Sequence, residues 1–295
     1  MSAGFAVSFP PNPAAIFLPI NLMTFSQKIR SIQKKKNSLL CIGLDPDRAK
    51  LPSVLRRDPN GVYEFCKRII EETCYVVCAY KLNLAFFEAL GGRGWEILAK
   101  TIELLPKSVL TIGDGKRGDI GNTGEMYALA LFRELRFDAA TVNPYMGSDS
   151  VAPFLKDPRK GAFVLVLTSN PGARDFQYLK TRRHPLYEHV ARQAQSWNAL
   201  DNCGLVVGAT RPGELRRIRT LAPNMPILIP GIGAQGGDLR ATVRSGCTRS
   251  GDLAIVNVGR AILYASSGRN FAQAAREEAI ALRDQMNRYR EKFFL

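Results

Sequence analysis

Eight short apolar runs, almost free of charge, recur along the 295-residue chain, and nearly every one is followed by a segment of helical periodicity. They fall at 38–45, 75–82, 109–114, 138–143, 161–168, 204–208, 226–229 and 253–257. Short continuous runs of this kind are the pattern of strands buried on both faces. The helical segments read as 25–36, 61–74, 95–104, 123–135, 189–202, one opened by Pro212, and 270–292. Strands alternating with helices imply a parallel sheet, because a parallel neighbour is reached only through a long crossover. Eight repeats favour closure into a (β/α)8 TIM barrel, α/β in class and single in domain. An open, doubly wound sheet is the competitor, and it is disfavoured because no G-x-G-x-x-G follows the first run.

A barrel of this type carries its chemistry at the C-terminal ends of its strands. Asp45, Lys81, Asp114 with Lys116, and Ser169 each lie at or just beyond such an end. Any one of them reads equally well as a loop charge or a cap, but four successive occurrences at the same end point to a site. The densest stretch is 113–125, GDGKRGDIGNTGE. Residues two apart in a strand point the same way, so Asp114 and Lys116 leave it side by side. Asp119 follows a turn at Gly118; it need not face the same pocket and could reach a neighbouring subunit. If a helix starts at this loop, Thr123 shares a helical face with Asp119. A lysine between two carboxylates and away from water stays protonated. It can stabilise a carbanion and then protonate it. The bare string D-x-K-x-x-D, taken alone, reads better as a solvated surface network.

Two glycine-rich segments complete the pattern. PGIGAQGG at 230–237 follows the seventh run, and Gly259-Arg260 follows the eighth and opens a helix. Bare glycine N–H groups and a helix N-terminus direct donors at an anion, and an arginine adds a permanent, bidentate charge. Loops after strands seven and eight are where barrels commonly hold phosphate. Either loop alone reads as a tight turn; the two together favour phosphate.

Composition narrows the function classes. The chain is 46% hydrophobic and 23% charged, which suits a globular enzyme, but its net charge is +15. Nucleic acid or an anionic substrate would account for that charge. The basic residues are scattered, with no tail or nucleic-acid motif, so an anionic small molecule is the better reading and nucleic acid is not expected. Six cysteines in apolar or helical surroundings, without metal or redox spacing, read as reduced thiols in a cytoplasmic protein. Two histidines, His184 and His189, are too few for a histidine-rich metal site elsewhere, and no metal is expected. Residues 1–22 carry no charge and four prolines, unlike a secretory signal, and read as a flexible extension ahead of a domain over 23–295. No run is long enough to span a membrane.

With these segments in hand, the chain resembles orotidine 5′-phosphate decarboxylases, specifically their mycobacterial-type (type 2) branch. The resemblance runs from about residue 38 to 263 through CIGLDP at 41–46, YKLNLAFFE at 80–88, DGKRGDI at 114–120 and VNPYMG at 142–147. TSNPG at 168–172, VGAT at 207–210, PGIGAQGG at 230–237 and VGRA at 258–261 complete it. It implies cofactor-free loss of CO2 from orotidine 5′-phosphate to give UMP, the last step of de novo pyrimidine nucleotide synthesis. It implies Lys116 as proton donor to C6 and Asp114 beside the departing carboxylate. Lys81 would hold ribose oxygen and Asp45 the ribose hydroxyls. Ser169 would read the pyrimidine edge, with Gln235, Gly259 and Arg260 on phosphate and Pro230 and Gly231 shaping that loop. It also implies a homodimer in which Asp119, Ile120 and Thr123 serve the partner's site. The rival is another phosphate-binding barrel lyase of the same wider group, a Mg2+-dependent keto-sugar-phosphate decarboxylase or synthase.

Overall fold

The computed structural model describes residues 23–181, 183–233 and 236–294. Expectations for residues 1–22 and for Gln235 lie outside the described residues. Eight parallel strands close on themselves: β1 (Leu40–Leu44), β2 (Ala79–Asn83), β3 (Leu110–Arg117), β4 (Ala139–Val142), β5 (Gly161–Leu167), β6 (Cys203–Val207), β7 (Ile227–Pro230) and β8 (Ala254–Val258). Closure is the pairing of β1 with β8 through Leu40↔Val256, Cys41↔Asn257 and Ile42↔Val258. The (β/α)8 barrel is therefore the architecture, and the open sheet is not.

Each strand alternates its side chains between two apolar clusters, as a two-residue period requires. Leu40, Ile42, Ala140, Val164, Leu205, Ile227 and Val256 pack outward against the helices. Cys41, Ile112, Phe163, Val206, Leu228 and Ile255 point inward. The inner cluster is closed from below by the helix Phe25–Lys36, whose Phe25, Ile29 and Ile32 form one stripe. Thr24 and Gln27 cap that helix reciprocally. Phe25 meets Phe163 edge-on at 5.8 Å between centroids. Gly161 makes room for it, since a Cβ there would lie 2.2 Å from the Phe25 ring. With the N-terminal end plugged, the open end of the barrel is the C-terminal one.

Several boundaries depart from the sequence reading. Residues 74–76 form a turn, with Val76 N–H donating to Thr73 O, and pairing starts only at Cys78, whose N–H donates to Leu40 O and whose O accepts from Leu110 N–H ahead of β2 proper. The apolar character of Val76 and Val77 reflects burial rather than a ladder. β3 runs on to Arg117 through an irregularity in its pairing with β4. The helix placed at 189–202 spans Leu186–Trp197, entered from Pro185 and released where Asn198 caps Cys203 N–H. The helix after β3 begins at Gly121 behind Ile120, so Asp119 lies outside it and does not share a helical face with Thr123. Short helices at Ser148–Leu155 and Leu239–Gly246 were not anticipated, although Leu239, Thr242 and Val243 form a buried stripe at helical spacing in the second. All six cysteines are free thiols, five of them buried, and no helix among the described residues is long and apolar enough to cross a membrane.

Candidate active site

A cavity of about 270 Å³ opens at the C-terminal ends of the strands. Adjacent strands deliver charged side chains into it, because inward positions at the same height of a barrel lie next to one another. The result is a row: Asp45 after β1, Lys81 on β2, then Asp114 and Lys116 on β3. Lys81 Nζ lies 3.7 Å from Asp45 Oδ1 and donates to Asp114 Oδ2 at 2.7 Å. Lys116 Nζ donates to Asp114 Oδ1 at 2.9 Å. The lysine between two carboxylates of this chain is thus Lys81, whereas among the described residues Lys116 pairs with Asp114 alone, and its side chain, which lines the cavity, is 45% exposed.

Charge compensation outweighs burial along the row. Burial alone would raise the Asp114 carboxyl, yet Lys81 and Lys116 hold it well below the usual carboxylate range. Burial alone would pull Lys81 down, yet Asp114 and then Asp45 push it above the ordinary lysine value. Asp45 Oδ1 is buried and has no hydrogen-bond partner among the described residues. An acceptor of that kind is costly unless something donates to it. Gly43 brings β1 close to this corner, where a Cβ would stand 3.3 Å from Asn257 Oδ1 and 3.4 Å from Asp45 Oδ2.

Beyond Asp45 the wall continues through the ends of β8 and β7, where a Cβ on Gly259 would lie 3.6 Å from Asp45 Oδ2. Pro230 and Gly231 end β7, and Gly231 holds φ +110°, a value that L side chains rarely adopt. The loop closes where Gly237 N–H donates to Gly231 O. Gly259 stands at the head of the short helix Arg260–Leu263, and both Gly259 and Arg260 line the cavity. Ser169, just past β5, also lines it, and Gly208 lets its backbone approach, since a Cβ there would lie 3.0 Å from Ser169 N.

The cavity therefore gathers Asp45, Lys81, Asp114, Lys116, Ser169, Pro230, Gly259 and Arg260. It does not include Asp119, Ile120 or Thr123 of the same chain. Ile120 and Thr123 are exposed beside the mouth, and Asp119 accepts from its neighbour Ile120 N–H. Among the polar groups of the wall that sequence reasoning missed, Thr141 on β4 and Asn257 on β8 lie within strands. Each was legible as a polar residue at an inward position of an otherwise apolar strand. His184 pairs with Glu188 and His189 with Thr181, and neither lines the cavity. Among the described residues no three side chains of His, Cys, Asp or Glu are grouped to hold a metal ion.

Comparison with known proteins agrees with this architecture. Residues 38–276 match the orotidine 5′-phosphate decarboxylase / HUMPS family. An orotidine 5′-phosphate decarboxylase of Dehalococcoides mccartyi is 50% identical over 275 residues, covering 92% of this chain and all of that protein. One from Azoarcus is 48% identical over 270 residues, 91% of this chain and all of that protein. The solved orotidine monophosphate decarboxylase of Leishmania donovani superposes with a TM-score of 0.76 at 40% identity, covering 89% of this chain and 99% of that one. On sequence, fold and the residues brought to the barrel mouth, the chain belongs to the orotidine 5′-phosphate decarboxylase family.

Proposed function

We propose that the chain is a type 2 orotidine 5′-phosphate decarboxylase that converts its substrate to UMP and CO2 without a cofactor. The observation that carries this reading is the unbroken row Asp45–Lys81–Asp114–Lys116 lining one cavity together with the Gly259-Arg260 turn. A nucleotide with a phosphate at one end and a carboxylate-bearing ring at the other fits that polarity. Phosphate sits against Gly259 and Arg260, with Pro230 and Gly231 shaping the adjoining loop. The ribose hydroxyls donate to the unsatisfied Asp45 oxygen, with Lys81 beside them, and Ser169 meets the pyrimidine edge.

Binding at the phosphate and ribose is remote from the bond that breaks, so it serves to force the reacting end against a preorganised charge array. The C6–carboxylate bond cleaves, CO2 departs, and the electron pair stays on C6. The Lys116 ammonium is the nearest mobile donor; it moves a proton to C6 and is reprotonated from solvent. Asp114 keeps that ammonium in place through both steps.

The site is completed by a second copy of the chain. Ile120, Met126, Tyr127, Tyr145 and Met146 are exposed apolar side chains on the segments that follow β3 and β4, and exposed apolar surface of this kind marks a face to be covered. In a homodimer, Asp119, Ile120 and Thr123 of each chain enter the partner's site, which gives each Lys116 its second carboxylate. The test is the absorbance change on mixing pure protein with orotidine 5′-phosphate in the presence of a chelator. Turnover that persists in chelator is the expected result; activity only after Mg2+ is added, and on keto-sugar phosphates, would reverse the assignment.

A further inference from the structure

We propose that Thr141 is a positioning residue for this reaction: its hydroxyl clamps the irregular end of β3 and so holds Asp114 and Lys116 in one geometry. The inference rests on the assignment of Lys116 as proton donor. β3 and β4 pair as Ile112↔Ala139 and Gly113↔Ala140, and the next pairing is Arg117↔Val142. Three residues of β3, Asp114, Gly115 and Lys116, therefore stand opposite one residue of β4, Thr141. Surplus residues in one strand lose their ladder partners and bend the chain, a device found beside active sites because it re-aims side chains. Here Lys116 takes φ +45°, a left-handed conformation costly for a residue with a Cβ.

Thr141 supplies what the ladder lacks. Its Oγ1 accepts from Lys116 N–H at 3.0 Å and donates to Asp114 Oδ1 at 2.8 Å. That carboxylate oxygen is the one that receives Lys116 Nζ. One hydroxyl thus fixes both ends of the Lys116 residue, its backbone directly and its ammonium through Asp114. Thr141 is 1% exposed, and a β-branched side chain has few rotamers, so the hydroxyl is held on these two partners. Val142 and Ala140 on either side have no group able to do this. A misplacement of about 1 Å at a reacting group can cost about a hundredfold in rate, which makes such a clamp consequential.

Valine has the shape of threonine without the hydroxyl, and serine keeps the hydroxyl without the methyl. With orotidine 5′-phosphate as substrate, Thr141→Val should lower kcat about ten- to a hundredfold while KM stays within about threefold, since the phosphate and ribose contacts lie elsewhere. Thr141→Ser should return kcat to within about threefold of the native enzyme. A Thr141→Val enzyme with native kcat overturns the proposal, as does a serine variant as slow as the valine one. A variant that only lowers Tm, with native kcat per folded molecule, also overturns it. Should Thr141→Val not fold, hydrogen exchange on the native protein decides: the Lys116 amide must be protected, and exchange at open-loop rates refutes the clamp. Native protein that fails to decarboxylate the substrate at all would sink the reaction assignment instead, so the two failures are distinguishable.

Discussion

Replacing Asp114 by asparagine keeps the side chain's shape and removes the charge that Lys81 and Lys116 share. In the native arrangement its oxygens lie 2.7 Å from Lys81 Nζ and 2.9 Å from Lys116 Nζ. Lys81 is only 4% exposed, so the change leaves an ammonium inside the barrel with Asp45, at 3.7 Å, as its remaining carboxylate. With an effective dielectric of about 20, the lost contact corresponds to about 6 kcal/mol of Coulomb energy and the retained one to about 4.5 kcal/mol. Desolvation offsets much of either value, and breaking one partner of a buried pair costs about 3–5 kcal/mol. The surviving Asp45 contact puts Asp114→Asn at the lower end, about 3 kcal/mol, while the half-exposed Lys116 contact adds little. In a chain of this size that lowers Tm by roughly 6 °C.

The pH dependence carries its own sign. Asp114 is depressed in the folded protein, so its contribution is complete above the unfolded carboxyl value of about 3.9 and is lost as pH falls through the folded one. Lys81 is raised, so its contribution is complete below the unfolded lysine value of about 10.4 and is lost as pH rises through the folded one. Urea titrations followed by circular dichroism should show the largest native-to-variant gap near neutrality. That gap narrows below about pH 4, and the variant gives way first on the alkaline side. A gap under about 0.5 kcal/mol at neutral pH, or one that stays constant into acid, would refute the claim that this carboxylate anchors the row.

Three further outcomes follow from the same geometry. Lys116→Ala should abolish turnover while UMP affinity, read by calorimetry, stays close to native; near-normal turnover would remove Lys116 from its role. Mixing Lys116→Ala with Asp119→Ala chains should rebuild one intact site per hybrid dimer, and random exchange then restores about a quarter of native activity. Hybrids that form yet stay inactive count against a shared site. Phe25→Ala opens the barrel floor where Phe25 meets Phe163, and should cost about 3–5 kcal/mol in urea unfolding without changing KM.

Much of the molecule was legible before any fold was known. The eight strand positions, the helix Phe25–Lys36 and the end of the barrel bearing Asp45, Lys81, Asp114 and Lys116 all follow from short-range pattern. Apolar period, caps and glycine placement act over a few residues, and a one-dimensional string retains them. Residues 75–78 misled because core burial and strand pairing favour the same side chains. Asp119 misled for a related reason: whether a helix begins at 119 or at 121 depends on how Ile120 and Gly121 turn, which spacing does not encode.

The sequence by itself determined eight alternating strand–helix units with charge and glycine at the strands' C-terminal ends, and favoured a closed barrel over an open sheet, because alternation and composition are local properties. Tertiary structure alone decided that Lys81, rather than Lys116, sits between two carboxylates of the chain. It also decided that Thr141 faces the three surplus residues of β3. Both depend on the register of one strand against the next. Register is settled by pairing between segments tens of residues apart, and no local pattern in either segment records it.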